Sequence, residues 1–213
     1  MSLQAVLFDM DGTLVDTEGV WLEVVEAAAA RRGRALDPAR RTAVTGRSVE
    51  DAAALLARYL DAREPDLAAE LGDGFAARLA AGTVPRPGAL RLLAALRAES
   101  VPTALVSASP RAVVHQVAGT LDGHRFDALF GAEDTVRTKP EPDPYLAAAL
   151  ALGAAPDRCV AVEDSATGVT SALAAGCRVL GVPSTEPLAP APGLTLLGSL
   201  ADADPALLRA LCA

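Results

Sequence analysis

The stretch FDMDGTL, residues 8–14, decides the fold. The apolar run AVLF, residues 5–8, leads into it and is typical of a strand buried on both faces. Two carboxylates then follow one residue apart, at Asp9 and Asp11, and their desolvation and mutual repulsion favour a bound cation at this strand end. Gly12 has the φ freedom that lets the chain turn sharply out of a sheet. The stretch therefore predicts a buried strand that ends in an acidic site.

Charge and hydropathy limit the partners of the chain. Its 213 residues carry a net charge of −8 and a pI near 4.8, which argue against nucleic acid and anionic membrane. The longest run without a polar side chain, residues 145–155, is too short to span a bilayer. The first apolar stretch runs straight into the acidic motif, so we expect no signal peptide. The cysteines Cys159, Cys177 and Cys212 lack metal-type spacing, and we expect a reduced, cytoplasmic protein.

Strand and helix patterns alternate after the first strand, which predicts an α/β protein with a doubly wound parallel sheet. Pro87 and Gly88 open a helical stretch before the second strand, and Asp204-Pro205 opens a final helix. The residues 183–192 are rich in proline and predict a loop. The later strands are predicted at residues 103–106, 126–131 (an edge strand), 159–162 and 178–182.

An insertion separates the first strand from the rest of this sheet. It covers 67 residues, from 17 to 83, and a structureless loop of that length inside a compact domain is improbable. Apolar residues recur in it at helical spacing, with Ser48 and Pro65 as helix start signals. We therefore expect a helical bundle as a cap domain at 17–83, and a core domain formed by 1–16 and 84–213.

Polar side chains lie at or just beyond the ends of the predicted strands. Because the carboxyl ends of parallel strands meet at one edge, we expect these side chains to lie close together. Three or four carboxylates there suit Mg²⁺, and a lysine and a hydroxyl suit the oxygens of a phosphate. Backbone amides of the segment 107–109, including that of Ala108, can point at an anion. The side chains are Asp9, Asp11, Ser107, Lys139, Glu163 and Asp164.

Each of these elements has a plainer interpretation by itself. Ser107 could simply end a strand, and Lys139 in the segment TKPEP could be a solvated loop lysine. Glu163 and Asp164 could lie at a helix N-terminus, where their negative charges interact favourably with the helix dipole. The joint occurrence of all of them in this order favours the site.

The full set of motifs resembles that of the haloacid dehalogenase-like hydrolase superfamily, in the branch with a helical cap inserted after the first motif. The resemblance covers residues 4–183 and includes DMDGT at 9–13, Ser107, Lys139-Pro140 and VEDSATG at 162–168. It implies that Asp9 is the nucleophile that forms an aspartyl-phosphate. It also implies that Asp11 protonates the leaving oxygen and then deprotonates the attacking water.

The resemblance further implies how the ion and the phosphate are held. Mg²⁺ would bind Asp9, the main-chain carbonyl of Asp11, and Asp164, with Glu163 supporting them. Ser107 and Lys139 would neutralise and orient the phosphoryl oxygens, and the cap would close over the site. We expect the substrate to be a small phosphorylated metabolite, a sugar or polyol phosphate.

Two branches of the superfamily do not match this sequence. Dehalogenases resemble it in fold but lack an acid at the position of Asp11, because no leaving oxygen needs a proton. Phosphonatases use a cap lysine as a Schiff base, and residues 17–83 contain no lysine.

β-Phosphoglucomutases are similar in motifs and cap and are the main alternative to a phosphatase. They carry a histidine where Trp21 stands and an arginine where Val49 stands, so this sequence favours hydrolysis. Arg47 could replace the missing arginine. The alternative from another class is a non-catalytic phosphate sensor on the same sheet. A protein without catalytic activity would have lost one of the acids or Lys139, and this sequence retains all of them.

The sequence indicates the substrate contacts only in outline. The candidates to line the cap–core cleft are Glu18, Trp21, Arg47 and Arg111. Trp21 could equally belong to the core of the bundle. A monomer or a weak homodimer is expected.

Overall fold

The structure is a computed structural model that describes residues 2–45, 49–60 and 66–213. The chain divides into two compact units. One unit, called the core unit here, runs up to Val15 and resumes over Val84–Ala213. The other, called the helical unit, is Asp16–Thr83.

A parallel sheet forms the centre of the core unit, as the alternating pattern predicted. Its six strands within the described residues are β1 (Ala5–Phe8), β2 (Thr103–Val106), β3 (Ala128–Phe130), β4 (Cys159–Glu163), β5 (Arg178–Gly181) and β6 (Leu194–Leu196). They pair in the order β3-β2-β1-β4-β5-β6, so β1 lies in the middle. The predicted α/β class with a doubly wound parallel sheet is confirmed.

The central strands are apolar because both of their faces are covered. Every residue of β1, β2 and β4 is buried. Phe8 pairs with Leu105 on one side and with Val162 on the other, so the three strands end at nearly the same level. This register brings the residues that follow them to one edge of the sheet.

The helical unit contains four helices within its described residues. They are α1 (Thr17–Arg31), α2 (Pro38–Val44), α3 (Val49–Leu60) and α4 (Leu67–Ala81). Their buried side chains form one cluster around Trp21, Val25, Leu56 and Leu71. The predicted start signals Ser48 and Pro65 lie outside the described residues.

Five helices of the core unit connect or follow the strands. They are α5 (Ala89–Ala98), α6 (Arg111–Ala118), α7 (Asp143–Ala151), α8 (Ala166–Ala174) and α9 (Pro205–Leu211). As predicted, α9 begins after Asp204, whose Oδ1 accepts a hydrogen bond from the Leu207 N–H at 2.7 Å.

Helix α2 and strand β6 were not predicted from the sequence. Helix α2 buries only Val44, so its sequence shows almost no apolar periodicity from which a helix could be predicted. Strand β6 has three residues, none of them buried, and exists because it pairs with β5 at the edge of the sheet. The predicted strand 126–131 lies at the opposite edge, as expected, but is shorter.

No helix in the described part of the chain is long and apolar enough to cross a membrane. The three cysteines are free and buried. Cys159 and Cys177 belong to the apolar cluster beneath the sheet, as expected of small hydrophobic side chains.

His124 is buried beside the amino end of β2. It is 8% exposed, and its Nε2 lies 3.0 Å from the Thr103 Oγ1. Its ring packs edge-on against Phe126, with the ring centroids 4.6 Å apart. Burial lowers the pKa of His124 and the Arg97 charge lowers it further, while Asp127 partly opposes them.

This environment predicts a pH-dependent contribution to stability. A histidine whose folded pKa lies below its ordinary value of 6.5 stabilises the fold above that pH, and the stabilisation is lost as the pH falls through the folded value. The difference in free energy of unfolding between the wild type and His124→Gln should therefore shrink from pH 7.5 to pH 5. Urea titrations at several pH values measure this difference, and a value independent of pH would contradict the prediction.

Candidate active site

The edge of the sheet where β1, β2 and β4 end carries the candidate site. The Asp9 N–H donates to the Val162 carbonyl at 2.9 Å, so Asp9 is fixed directly beside β4. The Ser107 N–H donates to the Phe130 carbonyl at 2.9 Å, which fixes Ser107 beside β3. The sheet thus brings together residues that are far apart in the sequence.

Lys139 joins two of the predicted carboxylates. Its Nζ lies 2.6 Å from Asp9 Oδ1, 2.7 Å from Glu163 Oε1 and 3.0 Å from the Val106 carbonyl oxygen. These three acceptors match the three protons of an ammonium group. The side chain is only 6% exposed, so the charge is paired inside the protein. The predicted contact of Lys139 with a phosphate stays a prediction.

Glu163 is completely buried, and both of its oxygens accept hydrogen bonds. Besides Lys139, the Tyr145 hydroxyl donates to Oε1 at 2.6 Å. The Ser165 hydroxyl donates to Oε2 at 3.1 Å. Gly168 makes room for this carboxylate, because a Cβ there would lie 1.8 Å from Oε1. Glu163 is therefore held in one position and can hold Lys139 in turn.

The pKa values follow from this pairing. Burial by itself would lower the pKa of Lys139, but the charges of Asp9 and Glu163 outweigh it and raise the pKa above its ordinary value. Burial, together with the charges of Glu163 and Asp9, raises the pKa of Tyr145 well above its ordinary value. The raised pKa values favour the charged form of Lys139 and the protonated form of Tyr145, in which its hydroxyl donates to Glu163.

Asp11 is held by two hydroxyl groups instead of a cation. Its Oδ2 accepts hydrogen bonds from the Ser107 Oγ at 2.8 Å and from the Ser109 Oγ at 2.9 Å. Ser107 Oγ in turn accepts from the Ser109 N–H at 2.9 Å. In this structure the Ser107 hydroxyl therefore donates to Asp11, and its predicted contact with a phosphate stays a prediction.

Asp164 follows β4 and accepts a hydrogen bond from the Ser184 hydroxyl. Burial raises the pKa of Asp164 to about 6, the Ser184 hydrogen bond opposes this rise, and the Glu163 charge adds to it. Gly12 lies against this pair with φ +81°, and a Cβ on it would come within 2.1 Å of Asp164 Oδ2. The glycine of the DMDGT motif is thus required both by its backbone conformation and by lack of space.

Three carboxylates form a cluster with the dimensions of a metal site. One oxygen from each of Asp9, Glu163 and Asp164 lies within 4.8 Å of the other two. Asp9 Oδ2 is buried and has no hydrogen-bond partner among the described residues, which is costly for a charged acceptor. Burial raises the pKa of Asp9 well above its ordinary value; Lys139 opposes this, and the charges of Glu163, Asp164 and Asp11 add to it. One ammonium does not balance these acids, so the donor set fits a hard divalent cation.

Of the predicted substrate residues, Glu18 and Trp21 belong to the helical unit and Arg111 to the core unit. Trp21 belongs to the core of the helical unit, where its indole N–H donates to the Val44 carbonyl at 3.0 Å, which favours the second of its two predicted roles. Glu18 lies in the first turn of α1. The guanidinium of Arg111 lies 2.6 Å from Asp134, and Ala108 is exposed beside Ser107. Arg47 lies outside the described residues.

Three residues of the site were not predicted from the sequence. Tyr145 was counted only within an apolar run, yet its hydroxyl bonds Glu163. Ser109 was considered only for its backbone amide in the segment 107–109, and Ser184 only as part of a loop, yet their hydroxyls donate to Asp11 and Asp164. For Ser109 a signal existed, since it stands two residues after Ser107 at the same strand end.

Comparison with known proteins identifies the class. A family model for haloacid dehalogenase-like hydrolases matches residues 3–176, and the chain belongs to this family. Hexitol phosphatase A of Escherichia coli (strain K12) is 37% identical over 199 residues, which cover 85% of this chain and 84% of that protein.

Two further proteins are similar to this chain, over different shares of their own length. The bifunctional riboflavin kinase/FMN phosphatase of Arabidopsis thaliana is 33% identical over 183 residues, and the match covers 84% of this chain but only 48% of that protein. The crystal structure of a HAD family hydrolase from Deinococcus radiodurans R1 with bound phosphate and sodium is 33% identical and has a TM-score of 0.70. That match covers 99% of this chain and 88% of the other.

The space around Glu163 predicts an unusual response to a glycine replacement. Alanine in place of glycine inside a helix ordinarily stabilises by about 1 kcal/mol. Gly168→Ala should instead destabilise, because its Cβ would displace the buried Glu163 carboxylate. Gly72→Ala in α4 is the control, since the nearest atom to its Cβ would lie 3.9 Å away. Thermal unfolding measures both variants, and a Gly168→Ala protein as stable as the wild type would contradict this account.

Proposed function

We propose that this chain is a Mg²⁺-dependent phosphatase that hydrolyses small phosphate monoesters through an aspartyl-phosphate on Asp9. The observation that carries the proposal is the state of Asp9. One of its oxygens is held by Lys139, while the other is buried and has no hydrogen-bond partner among the described residues. A carboxylate held in this way, in a cluster suited to a divalent cation, is a positioned nucleophile.

The first half of the reaction transfers the phosphoryl group to the protein. The Asp9 carboxylate attacks phosphorus, an oxygen–phosphorus bond forms, and the bond to the ester oxygen breaks. Asp11 gives its proton to the departing oxygen, which leaves as an alcohol. Lys139 keeps Asp9 in position and offsets negative charge as the phosphoryl group approaches.

The second half returns the protein to its starting state. Asp11, now a carboxylate, takes a proton from a water molecule whose oxygen attacks the phosphorus of the aspartyl-phosphate. The bond between phosphorus and the Asp9 oxygen breaks, so inorganic phosphate leaves and the Asp9 carboxylate is restored.

The metal site in this proposal uses the acidic cluster. Asp9, Asp164 and the main-chain carbonyl of Asp11 would hold Mg²⁺, and Glu163 would stay bound to Lys139 and Tyr145. A bound ion would neutralise charge on the phosphoryl oxygens. The unpartnered oxygen of Asp9 supports this assignment, because a cation would satisfy it.

The proposed substrates are sugar or polyol phosphates. The similarity to hexitol phosphatase A, over most of both chains, supports this class. The bound phosphate in the Deinococcus radiodurans structure supports a phosphoryl-binding site.

The mutase alternative is less well supported. Val49 packs with the buried cluster of the helical unit, and Trp21 lies in that cluster. Neither position offers a cation for a second phosphate.

A nucleophile exchange tests the core of the proposal. Asp9→Asn should lower turnover of a sugar phosphate by on the order of 10⁴-fold or more, because the amide cannot form the covalent intermediate. EDTA should abolish wild-type turnover, and added Mg²⁺ should restore it. Release of inorganic phosphate is the measurement, with the exposed Asp202→Asn as a matched control. Full activity of Asp9→Asn, or indifference to EDTA, would exclude the mechanism.

A coupled assay separates hydrolysis from transfer between sugar positions. We expect phosphate release from sugar or polyol phosphates. Conversion of β-glucose 1-phosphate to glucose 6-phosphate should be negligible, even with glucose 1,6-bisphosphate as a primer. Coupling to glucose-6-phosphate dehydrogenase measures the second reaction. Primer-dependent conversion faster than phosphate release would reverse the choice and make Arg47 the leading candidate for binding the second phosphate.

A further inference from the structure

We propose that Ser109 is a positioning residue for Asp11, and that it is the hydroxyl which orients this acid–base carboxylate while a phosphoryl group is bound. The inference rests on the proposed function, because it assigns a partner to the group that protonates the leaving oxygen. It adds a residue that the sequence motifs did not include.

The geometry around Asp11 is the first observation. Its Oδ2 receives two hydroxyl hydrogen bonds, at 2.8 Å from Ser107 and at 2.9 Å from Ser109. Both donors lie nearly a hundred residues away in the sequence, in the segment that follows β2. The orientation of the carboxylate is therefore set by this segment and not by its own turn.

The number of protons distinguishes the two serines. Each hydroxyl carries one proton and can donate one hydrogen bond at a time. Ser107 is also the predicted partner of a phosphoryl oxygen, and donating to that oxygen would remove its hydrogen bond to Asp11. Ser109 would then be the remaining donor, so it can orient Asp11 through the chemical step.

The backbone around Ser109 is held in place, as a positioning role requires. Its N–H donates to the Ser107 Oγ at 2.9 Å, and its carbonyl accepts from the Ala132 N–H at 3.0 Å. Gly131 packs closely behind it, since a Cβ there would lie 3.0 Å from the Ser109 carbonyl oxygen. The proline that follows restricts the chain further. The hydroxyl is thus presented by a constrained segment.

Leaving-group dependence tests the assignment. An alkyl leaving group needs the proton from Asp11, whereas p-nitrophenolate scarcely needs it. Ser109→Ala should lower kcat/KM for a sugar or polyol phosphate by about tenfold or more, the effect of losing one hydrogen bond to a charged group. This ratio is the right measure because it reports the transfer to Asp9 and not the later hydrolysis, which is common to both substrates. The kcat/KM for p-nitrophenyl phosphate should change by less than about threefold.

Three further variants complete the experiment. Ser109→Thr keeps the hydroxyl and should retain most of the activity that Ser109→Ala loses. Asp11→Asn removes the acid itself and shows how far the losses on the two substrates can differ. Thr170→Ala is the matched control, because this exposed hydroxyl donates to the Ala166 carbonyl of its own helix. If Ser109→Ala does not fold, Ser109→Cys replaces it. The thiol is of similar size but is a weaker donor, so we expect the same selective loss on the alkyl substrate.

The possible results are distinct. Equal losses of kcat/KM on both substrates, or no loss at all, would each overturn the role of Ser109. An active Asp9→Asn protein, measured in the same series, would instead show that the proposed function itself is wrong. A selective loss of kcat/KM on the alkyl substrate with rescue by threonine supports the inference.

Discussion

The ammonium group of Lys139, shared between Asp9 and Glu163, is the interaction on which the rest of the site depends. A buried carboxylate without a partner is costly, and a buried pair is tolerated only when its remaining hydrogen-bonding atoms are satisfied. Here the Val106 carbonyl accepts the third hydrogen bond of the ammonium group. The hydroxyls of Tyr145 and Ser165 donate to the Glu163 carboxylate. The positions of Asp9 and Lys139 are thus fixed before any ligand binds, which is the preorganisation that phosphoryl transfer requires.

The acids of the site differ in the partners that hold them. Asp9 is paired with a cation, whereas Asp11 and Asp164 accept hydrogen bonds from serine hydroxyls. Similar carboxylates can take different roles when their environments differ in this way. Burial raises the pKa of Asp9, and Lys139 opposes this rise and so favours the ionised state that a nucleophile needs.

The sequence predicted the sheet and the residues at its edge because both follow from strong local signals. The apolar run at 5–8 and the acids after it need no tertiary information. Tyr145, Ser109 and Ser184 could not be assigned so readily, because their roles depend on which segments the fold brings together. Strand β6 likewise owes its existence to pairing with β5. Trp21 shows the same limit, since its spacing fits a cleft or a core and only packing decides.

Direct capture of the covalent intermediate tests the central claim, that Asp9 is the nucleophile. The protein would be mixed with a sugar phosphate and Mg²⁺, quenched in acid during turnover and treated with borohydride, which reduces an aspartyl-phosphate to homoserine. Peptide mass spectrometry then locates the modified residue. The account predicts homoserine at position 9 in the wild type and its absence without substrate. Turnover without any modified aspartate, or with the modification at another acid of the site, would contradict the account.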